Sequence, residues 1–200
     1  MSTTEQDTAA VVIGGSMGAV TVLGQLLPCL PAGYGVPVFV VVHVSVHRPP
    51  GLAELFRSTC AVSVKEAEDK EDIASGTVYV APADYHLLVE KTGILSLSID
   101  DPVSFARPAI DVLFESAADA YGDRLVAVIL TGANRDGAEG VRAVHAAGGR
   151  VLVQSPTSAE SPIMPESALA ACPEAWAMSV SGIAESLVSY GVSRDATRRD

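Results

Sequence analysis

Basic residues, cysteines and long apolar runs are all scarce in this sequence. Its 200 residues include 13 lysines and arginines against 24 aspartates and glutamates, which gives a formal net charge of −11. Nucleic-acid binding needs a basic surface, so this balance argues against a nucleic-acid partner. No apolar stretch reaches the roughly 18 residues that a membrane-spanning helix needs, so we expect no membrane insertion.

The cysteines form no recognisable motif. Cys29, Cys60 and Cys172 are odd in number, lie in apolar settings and include no CxxC pair, which indicates reduced, buried thiols. The first ten residues, MSTTEQDTAA, have no basic segment of the kind that opens a signal peptide. These features predict a cytoplasmic protein. The sequence also has no HExxH motif, Cys/His cluster or GK[ST] loop, so we expect neither a metal nor another cofactor.

The composition that remains is that of one globular domain. Hydrophobic residues make up 48% and charged residues 18% of the chain, and its length suits a single core. Polar ends predict a disordered tail over residues 1–9 and a second tail over 192–200, with one domain over 10–191.

Short apolar runs alternate with helical patterns along the chain. We predict buried strands at 11–14, 36–44, 62–67, 125–132 and 150–154. The predicted helices cover 20–30, 51–59, 108–121, 136–149, 165–172 and 181–191, and three short strands at 77–82, 86–90 and 94–99 suggest a meander or hairpins. This alternation predicts an α/β fold with a mostly parallel, doubly wound sheet between two layers of helices. Ligands of such sheets bind beyond the carboxyl ends of the strands.

Ser16 follows the first of these strands in the stretch GGSMG at 14–18. A serine in a G-x-S-x-G turn between a strand and a helix is typical of a catalytic nucleophile, and the N–H of Met17 would then face the oxyanion. Two alternatives remain: Ser16 caps the helix, or the turn binds an anion. The dinucleotide motif G-x-G-x-x-G fails, because Ser16 and Ala19 occupy its second and third glycine positions.

A histidine and an aspartate follow two other predicted strands. His43 ends the run VPVFVVVHV, and Asp136 lies just beyond LVAVILTG. Imidazole is the usual base for a serine hydroxyl, and a carboxylate can fix its tautomer. Each residue alone could be structural, Asp136 as a helix cap. The rival candidates are His47, His86 and His145 for the base, and Asp101 and Asp111 for the acid.

Several stretches in a fixed order resemble one family. They are VVIGGSMGA, VVHV, VSVKEAED, VYVAPADYHLLVE, RPAIDVLFESAA, VAVILTGANRDGAEG and VLVQSPTSAESPIMPESAL. Across about residues 11–170 the sequence resembles the catalytic domain of the CheB-type chemoreceptor methylesterases. The resemblance implies a three-layer α/β/α fold with an antiparallel hairpin near one edge of the sheet. It also implies hydrolysis of γ-glutamyl methyl esters on methylated chemoreceptor helices, with release of methanol, and often deamidation of receptor glutamines.

The resemblance places the family's catalytic groups on the residues chosen above. The nucleophile falls on Ser16, the base on His43 and the orienting acid on Asp136. The backbone N–H groups of Met17 and Ala133 become the expected oxyanion donors. The expected pocket lining comprises Gly15, Gly18, Arg107, Met164 and Pro165.

The sequence also departs from the family pattern near the expected pocket. Met17 stands where the family has a polar residue, and Phe105 and Ala106 stand where it often carries Asn and His. The loop after His43 is longer than usual. These departures leave two alternatives, an esterase or amidase with another substrate, and a binding domain without catalysis. The family's receiver domain is not among these 200 residues, so we expect no control by phosphorylation within the chain.

Overall fold

Nine strands are formed in the computed structural model, which describes residues 8–43 and 51–191. They are β1 Ala10–Gly15, β2 Val38–Val42, β3 Ser63–Glu66, β4 Thr77–Val80, β5 His86–Val89, β6 Leu95–Ser98, β7 Leu125–Ile129, β8 Arg150–Gln154 and β9 Trp176–Met178. Seven strands form one parallel sheet in the order β3-β4-β2-β1-β7-β8-β9, while β5 and β6 pair antiparallel. The predicted parallel α/β architecture and its hairpin are confirmed.

The described residues form six α-helices, of which five lie between strands and the sixth follows β9. They are α1 Ala19–Leu26, α2 Leu52–Arg57, α3 Ile110–Tyr121, α4 Ala138–Ala146, α5 Ile163–Ala171 and α6 Val180–Gly191. Short 3-10 turns occupy Leu27–Cys29, Gly122–Arg124 and Pro156–Ser158. Across the two described ranges, none of the helices has both the length and the apolar character needed to cross a bilayer.

Helices cover the sheet on both faces, which explains the continuous apolar strands. Side chains alternate along a strand, so Val11 and Ile13 enter one core while Val12 enters the other. The first core is closed by α1, α2 and α6, and the second by α3, α4 and α5. Both faces of β1 and β2 are therefore buried, as their sequences predict.

The strand at 77–80 lies in the main sheet, so the prediction of a meander is wrong for this segment. It pairs parallel with β2 on one side and with β3 on the other. All four of its residues are buried, as in a central strand covered on both faces. Only β5 and β6 form a hairpin, which packs on α3 through Leu87, Val89 and Leu95.

The order of the strands brings Ser16, His43 and Asp136 to the end of the sheet where the strands finish. β1 lies between β2 and β7, with Gly15 opposite Val42 and Gly14 opposite Ile129. Because all three strands run parallel, their carboxyl ends meet. The chain extends the sheet on one side of β1 and returns to build the other side, and such switch points form binding crevices.

Candidate active site

The Ser16 turn is a tight strand-to-helix connection. Ser16 N–H donates to the Thr131 carbonyl at 2.9 Å. A Cβ on Gly15 would lie 2.5 Å from Ala19 Cβ, and Gly18 has a φ of +80°. Both positions therefore require glycine. The Ser16 side chain is partly exposed, and its hydroxyl forms no hydrogen bond with residues 8–43 or 51–191.

His43 and Asp136 are in direct contact at the same edge. His43 Nε2 lies 2.8 Å from Asp136 Oδ2, and the side chains are 15% and 0% exposed. The His43 N–H also donates to the Gly15 carbonyl at 3.1 Å. This backbone bond holds the histidine beside the serine turn.

Asp136 is also bonded to the start of α3. Ile110 N–H donates to its Oδ2 at 2.7 Å and Asp111 N–H to its Oδ1 at 3.0 Å. These donors lie at the positive end of the helix, which stabilises a carboxylate. One side chain therefore both contacts His43, as an orienting acid would, and caps a helix, and the capped helix is α3.

Asn134 contacts the other nitrogen of the imidazole. Its Oδ1 accepts from Asp136 N–H at 3.1 Å, and its Nδ2 lies 3.0 Å from His43 Nδ1. An amide nitrogen only donates, so Nδ1 accepts this hydrogen bond. The ring hydrogen is therefore on Nε2, which donates a hydrogen bond to Asp136. Sequence reasoning missed Asn134, although an asparagine two residues before an aspartate is a signal for a local turn of this kind.

A buried polar network holds the 131–134 loop against the Ser16 turn. Thr131 Oγ1 donates to the Met17 carbonyl and accepts from Ser161 N–H, each at 2.9 Å. Thr131 N–H donates to the buried Gln154 Oε1 at 2.9 Å. Thr131 and Gln154 were also missed, because a pattern of apolar strands does not indicate which polar side chains meet behind a loop.

The two predicted oxyanion donors lie on these adjoining loops. Met17 is 53% exposed and Ala133 is exposed. Within the described chain, neither backbone N–H has an acceptor. Free N–H groups of this kind are available to a developing negative charge.

Asp111 forms a second buried carboxyl behind Asp136. Its Oδ1 accepts from Gly140 N–H at 2.8 Å. Burial, followed by the charge of Asp136, raises the pKa of Asp111 to about 6, although the Gly140 hydrogen bond acts in the opposite direction. Asp111 is therefore placed to influence the charge of Asp136.

The other candidate histidines are placed differently. His86 is buried, accepts from Ala109 N–H at Nδ1 and donates from Nε2 to the Asp101 carbonyl, both at 3.2 Å. His86 thus joins the backbone at Asp101 to the backbone at Ala109, which is a structural role. His145 is exposed on α4, and His47 lies outside the described residues.

A cavity of about 280 Å³ opens beside His43. Arg107 and Asn134 lie on its wall, and Phe105 is fully exposed. Among the described residues, its lining comprises Val42, His43, Ala81, Ala83, Phe105, Ala106, Arg107, Pro108 and Asn134.

The other residues predicted to line the pocket lie around the Ser16 turn and the 131–134 loop. Met164 and Pro165 are buried, and Met164 N–H donates to the Gly132 carbonyl at 2.9 Å. A Cβ on Gly132 would lie 2.7 Å from Met164 Sδ, so this methionine supports the loop from beneath. A Cβ on Gly18 would meet the Glu160 side chain in the same way.

Comparisons with known proteins show the family to which the chain belongs. Residues 11–187 match the family described as CheB methylesterase. A Leptospira interrogans protein named protein-glutamate methylesterase/protein-glutamine glutaminase is 45% identical over 176 residues, which cover 88% of this chain and 91% of that protein. A Myxococcus xanthus protein of the same name, numbered 4, is 44% identical over 148 residues, or 74% of this chain and 42% of its own length.

A solved structure gives the same result for the fold. The crystal structure of the Thermotoga maritima CheB methylesterase catalytic domain superposes with a TM-score of 0.86 and 34% sequence identity. The match covers 92% of this chain and 99% of that one.

Proposed function

Since the chain belongs to the CheB methylesterase family, we propose that it is a serine hydrolase that removes methyl groups from γ-glutamyl methyl esters of chemoreceptors. The observation that carries the proposal is the 2.8 Å contact of His43 Nε2 with the buried Asp136 carboxylate, beside the Ser16 turn. A charged partner on one imidazole nitrogen makes the other nitrogen the candidate base.

The base in this proposal is His43 Nδ1. Because Nε2 already donates to Asp136, only Nδ1 has a lone pair for the Ser16 proton. The amide of Asn134 occupies that lone pair at rest, so it must move aside before Ser16 Oγ–H can bind there. Ser16 Oγ then bonds to the ester carbonyl carbon as its proton passes to Nδ1.

The carbonyl oxygen becomes an oxyanion in this step. The free N–H groups of Met17 and Ala133 are proposed to bind it, each contributing about 3 kcal/mol of transition-state stabilisation. Thr131 keeps the two loops together, because its hydroxyl donates to the Met17 carbonyl.

The tetrahedral intermediate then releases methanol. The C–O bond to the methoxy group breaks and His43 returns its proton to that oxygen, leaving an acyl-enzyme. Water attacks the acyl carbon and gives its proton to His43. Collapse of this second intermediate restores Ser16 and leaves a glutamate carboxylate. With a glutamine side chain the same steps would release ammonia, which matches the double name of the relatives.

The proposed partner is a methylated chemoreceptor helix, and the proposed location is the cytoplasm. The cavity beside His43 and the exposed Phe105 offer a surface for the ester side chain and its neighbours. Arg107 brings a positive charge to this wall and donates to the Ile99 and Asp100 carbonyls at 3.0 and 3.2 Å. A cation there suits a substrate helix rich in glutamate.

The decisive experiment measures methanol release from methylated receptor with wild type and Ser16→Ala. We expect release by wild type and none by the variant, with unchanged melting. Ser181→Ala, an exposed serine on α6, is the matched control and should keep full activity. Ammonia release from receptor glutamines tests the second activity in the same samples.

A fluorophosphonate label separates the outcomes if wild type releases no methanol. Labelling at Ser16 without methanol release would indicate an esterase or amidase with another substrate. Absence of both labelling and release would indicate a binding domain and refute the proposed hydrolase.

A further inference from the structure

A second cluster of reactive side chains lies at the edge of the sheet opposite the catalytic residues. His145 is in the last turn of α4, Cys172 directly follows α5, and Glu174 precedes β9. A cavity of about 170 Å³ adjoins them, lined also by residues that open β8 and β9. The start of a parallel strand is far from its carboxyl end, so this cluster is separate from Ser16 and His43.

The donor atoms of the three side chains face a common space. His145 Nε2 lies 3.8 Å from Glu174 Oε2, and Cys172 Sγ lies 4.0 Å from the same oxygen. All three donor atoms are within 4.8 Å of one another. The His–Glu separation is too long for a direct hydrogen bond. Tetrahedral zinc with ordinary bond lengths places its ligand atoms roughly 3.3–3.8 Å apart. Small side-chain rotations would bring the three atoms to these distances.

We propose that His145, Cys172 and Glu174 form a zinc site, with solvent as the fourth ligand. Thiolate, imidazole and carboxylate are the three ligand types that Zn²⁺ uses in proteins. The Cys172 thiolate and the Glu174 carboxylate each carry a charge of −1, and together they balance the charge of Zn²⁺. The thiol proton passes to solvent on binding. This proposal departs from the expectation, drawn from the sequence, that the chain needs no metal.

The backbone around the cluster is already organised. Cys172 N–H donates to the Ala168 carbonyl at 2.9 Å, and Ala175 N–H donates to the Cys172 carbonyl at 3.0 Å. Cys172 is buried and forms a fixed anchor, while His145 and Glu174 are exposed and free to adjust. Arg150, the cation on this cavity, has its guanidinium 5.2 Å from the centre of the Tyr190 ring.

The electrostatics without an ion are unfavourable to a thiolate. Burial first, and then the charge of Glu174, raise the pKa of the Cys172 thiol. A divalent cation reverses the effect of Glu174 by drawing both negative groups to itself. Bound there, the ion would clamp the end of α4 to the turn between α5 and β9.

Cobalt titration of the full chain tests the site. Metal-free protein is titrated with Co²⁺, whose thiolate complexes absorb in the near-ultraviolet by charge transfer. We expect one Co²⁺ per chain with this band, loss of the band in Cys172→Ser, and at least tenfold weaker binding in His145→Gln and Glu174→Gln. Cys29→Ser and Cys60→Ser are matched controls, and both should keep the band.

Zinc-induced stabilisation gives a second readout that does not depend on the buried cysteine. Zn²⁺ should raise the Tm of wild type but not that of His145→Gln, whose exposed position makes misfolding a minor concern. The proposal fails if no thiolate band forms, or if Cys172→Ser retains it. It also fails if His145→Gln binds the metal as tightly as wild type, since binding elsewhere would then explain the signal.

Discussion

The amide nitrogen of Asn134 lies 3.0 Å from His43 Nδ1 and donates to the base nitrogen of the proposed triad. This contact suits only the neutral imidazole. Once Nδ1 takes a proton, two donors would face each other, so the hydrogen bond is lost in the transition state. Asn134 therefore stabilises the resting enzyme relative to the reacting one.

We expect Asn134→Ala to speed the acylation of Ser16. The lost hydrogen bond is worth about 1 kcal/mol, which corresponds to an increase of up to roughly fivefold. The rate of fluorophosphonate labelling measures this step.

Asn134→Asp is the matched variant and should act in the opposite direction. A carboxylate at this position cannot donate to Nδ1 and instead accepts from an Nδ1–H group, so it favours the tautomer that has no lone pair for the Ser16 proton. Labelling near neutral pH should fall more than tenfold. Equal, modest losses in both variants would mean that Asn134 only shapes the loop.

Asp136 should show separate effects on catalysis and stability. Asp136→Asn removes the charge that stabilises the imidazolium and keeps an oxygen for only one of the two α3 donors, so kcat should fall by about 10³–10⁴ with a smaller loss of stability than in Asp136→Ala. Asp136→Ala leaves the Ile110 and Asp111 N–H groups without their acceptor. We expect a loss of about 3 kcal/mol in the free energy of unfolding, measured by denaturant titration. Similar stabilities of the two variants would contradict the capping role.

Asp111 should make stability depend on pH. Its pKa is about 6 in the folded chain against 3.8 ordinarily, so the folded state binds the proton more tightly. Stability therefore decreases as pH rises from about 4 through 6, and the loss is complete above the folded pKa. Asp111→Asn should be more stable than wild type by about 2–3 kcal/mol at pH 8 and equal to it near pH 4.

Denaturant titrations at the two pH values check this prediction. Asp119→Asn, an exposed carboxyl on the same helix, is the control and should change stability little at either pH. A difference between wild type and Asp111→Asn that does not vary with pH would rule out the titration of Asp111 as its cause.

Thr131→Val should impair catalysis through the loops. Valine has the same shape but no hydroxyl, so the Met17 carbonyl and Ser161 N–H lose their partner. We expect a roughly tenfold lower kcat and a loss of about 2 kcal/mol in stability. Thr131→Ser keeps the hydroxyl and should restore most of both. Unchanged kcat in the valine variant would show that Thr131 does not position the Ser16 turn.

The sequence was sufficient to predict the parts of the site set by strand ends. Residues following β1 and β2 are placed by the sheet itself, so Ser16 and His43 could be chosen from apolar runs and turn residues. Asp136 could be chosen because it follows a third buried run, which forms β7. The contact of Asn134 with His43 could not be predicted from the sequence, because it depends on a side-chain rotamer that the loop fixes.

The strand at 77–80 shows a second limit. Its short length and nearby turns suggested a meander, but its four buried residues fit a central parallel strand. The spacing of apolar residues and the length of an apolar run do not show whether the strand with which it pairs is near or distant in the chain. That choice is decided by tertiary packing.

The pairing of β1 with β7 also sets when the enzyme can become active during its own synthesis. The hydroxyl of Thr131 reaches back 114 positions to the Met17 carbonyl, and the acid that orients His43 comes later still. During synthesis the proposed nucleophile leaves the ribosome before its proposed acid, so we expect that serine to stay inert until the second half of the sheet emerges and docks. The first turnover therefore reports that the two halves have joined.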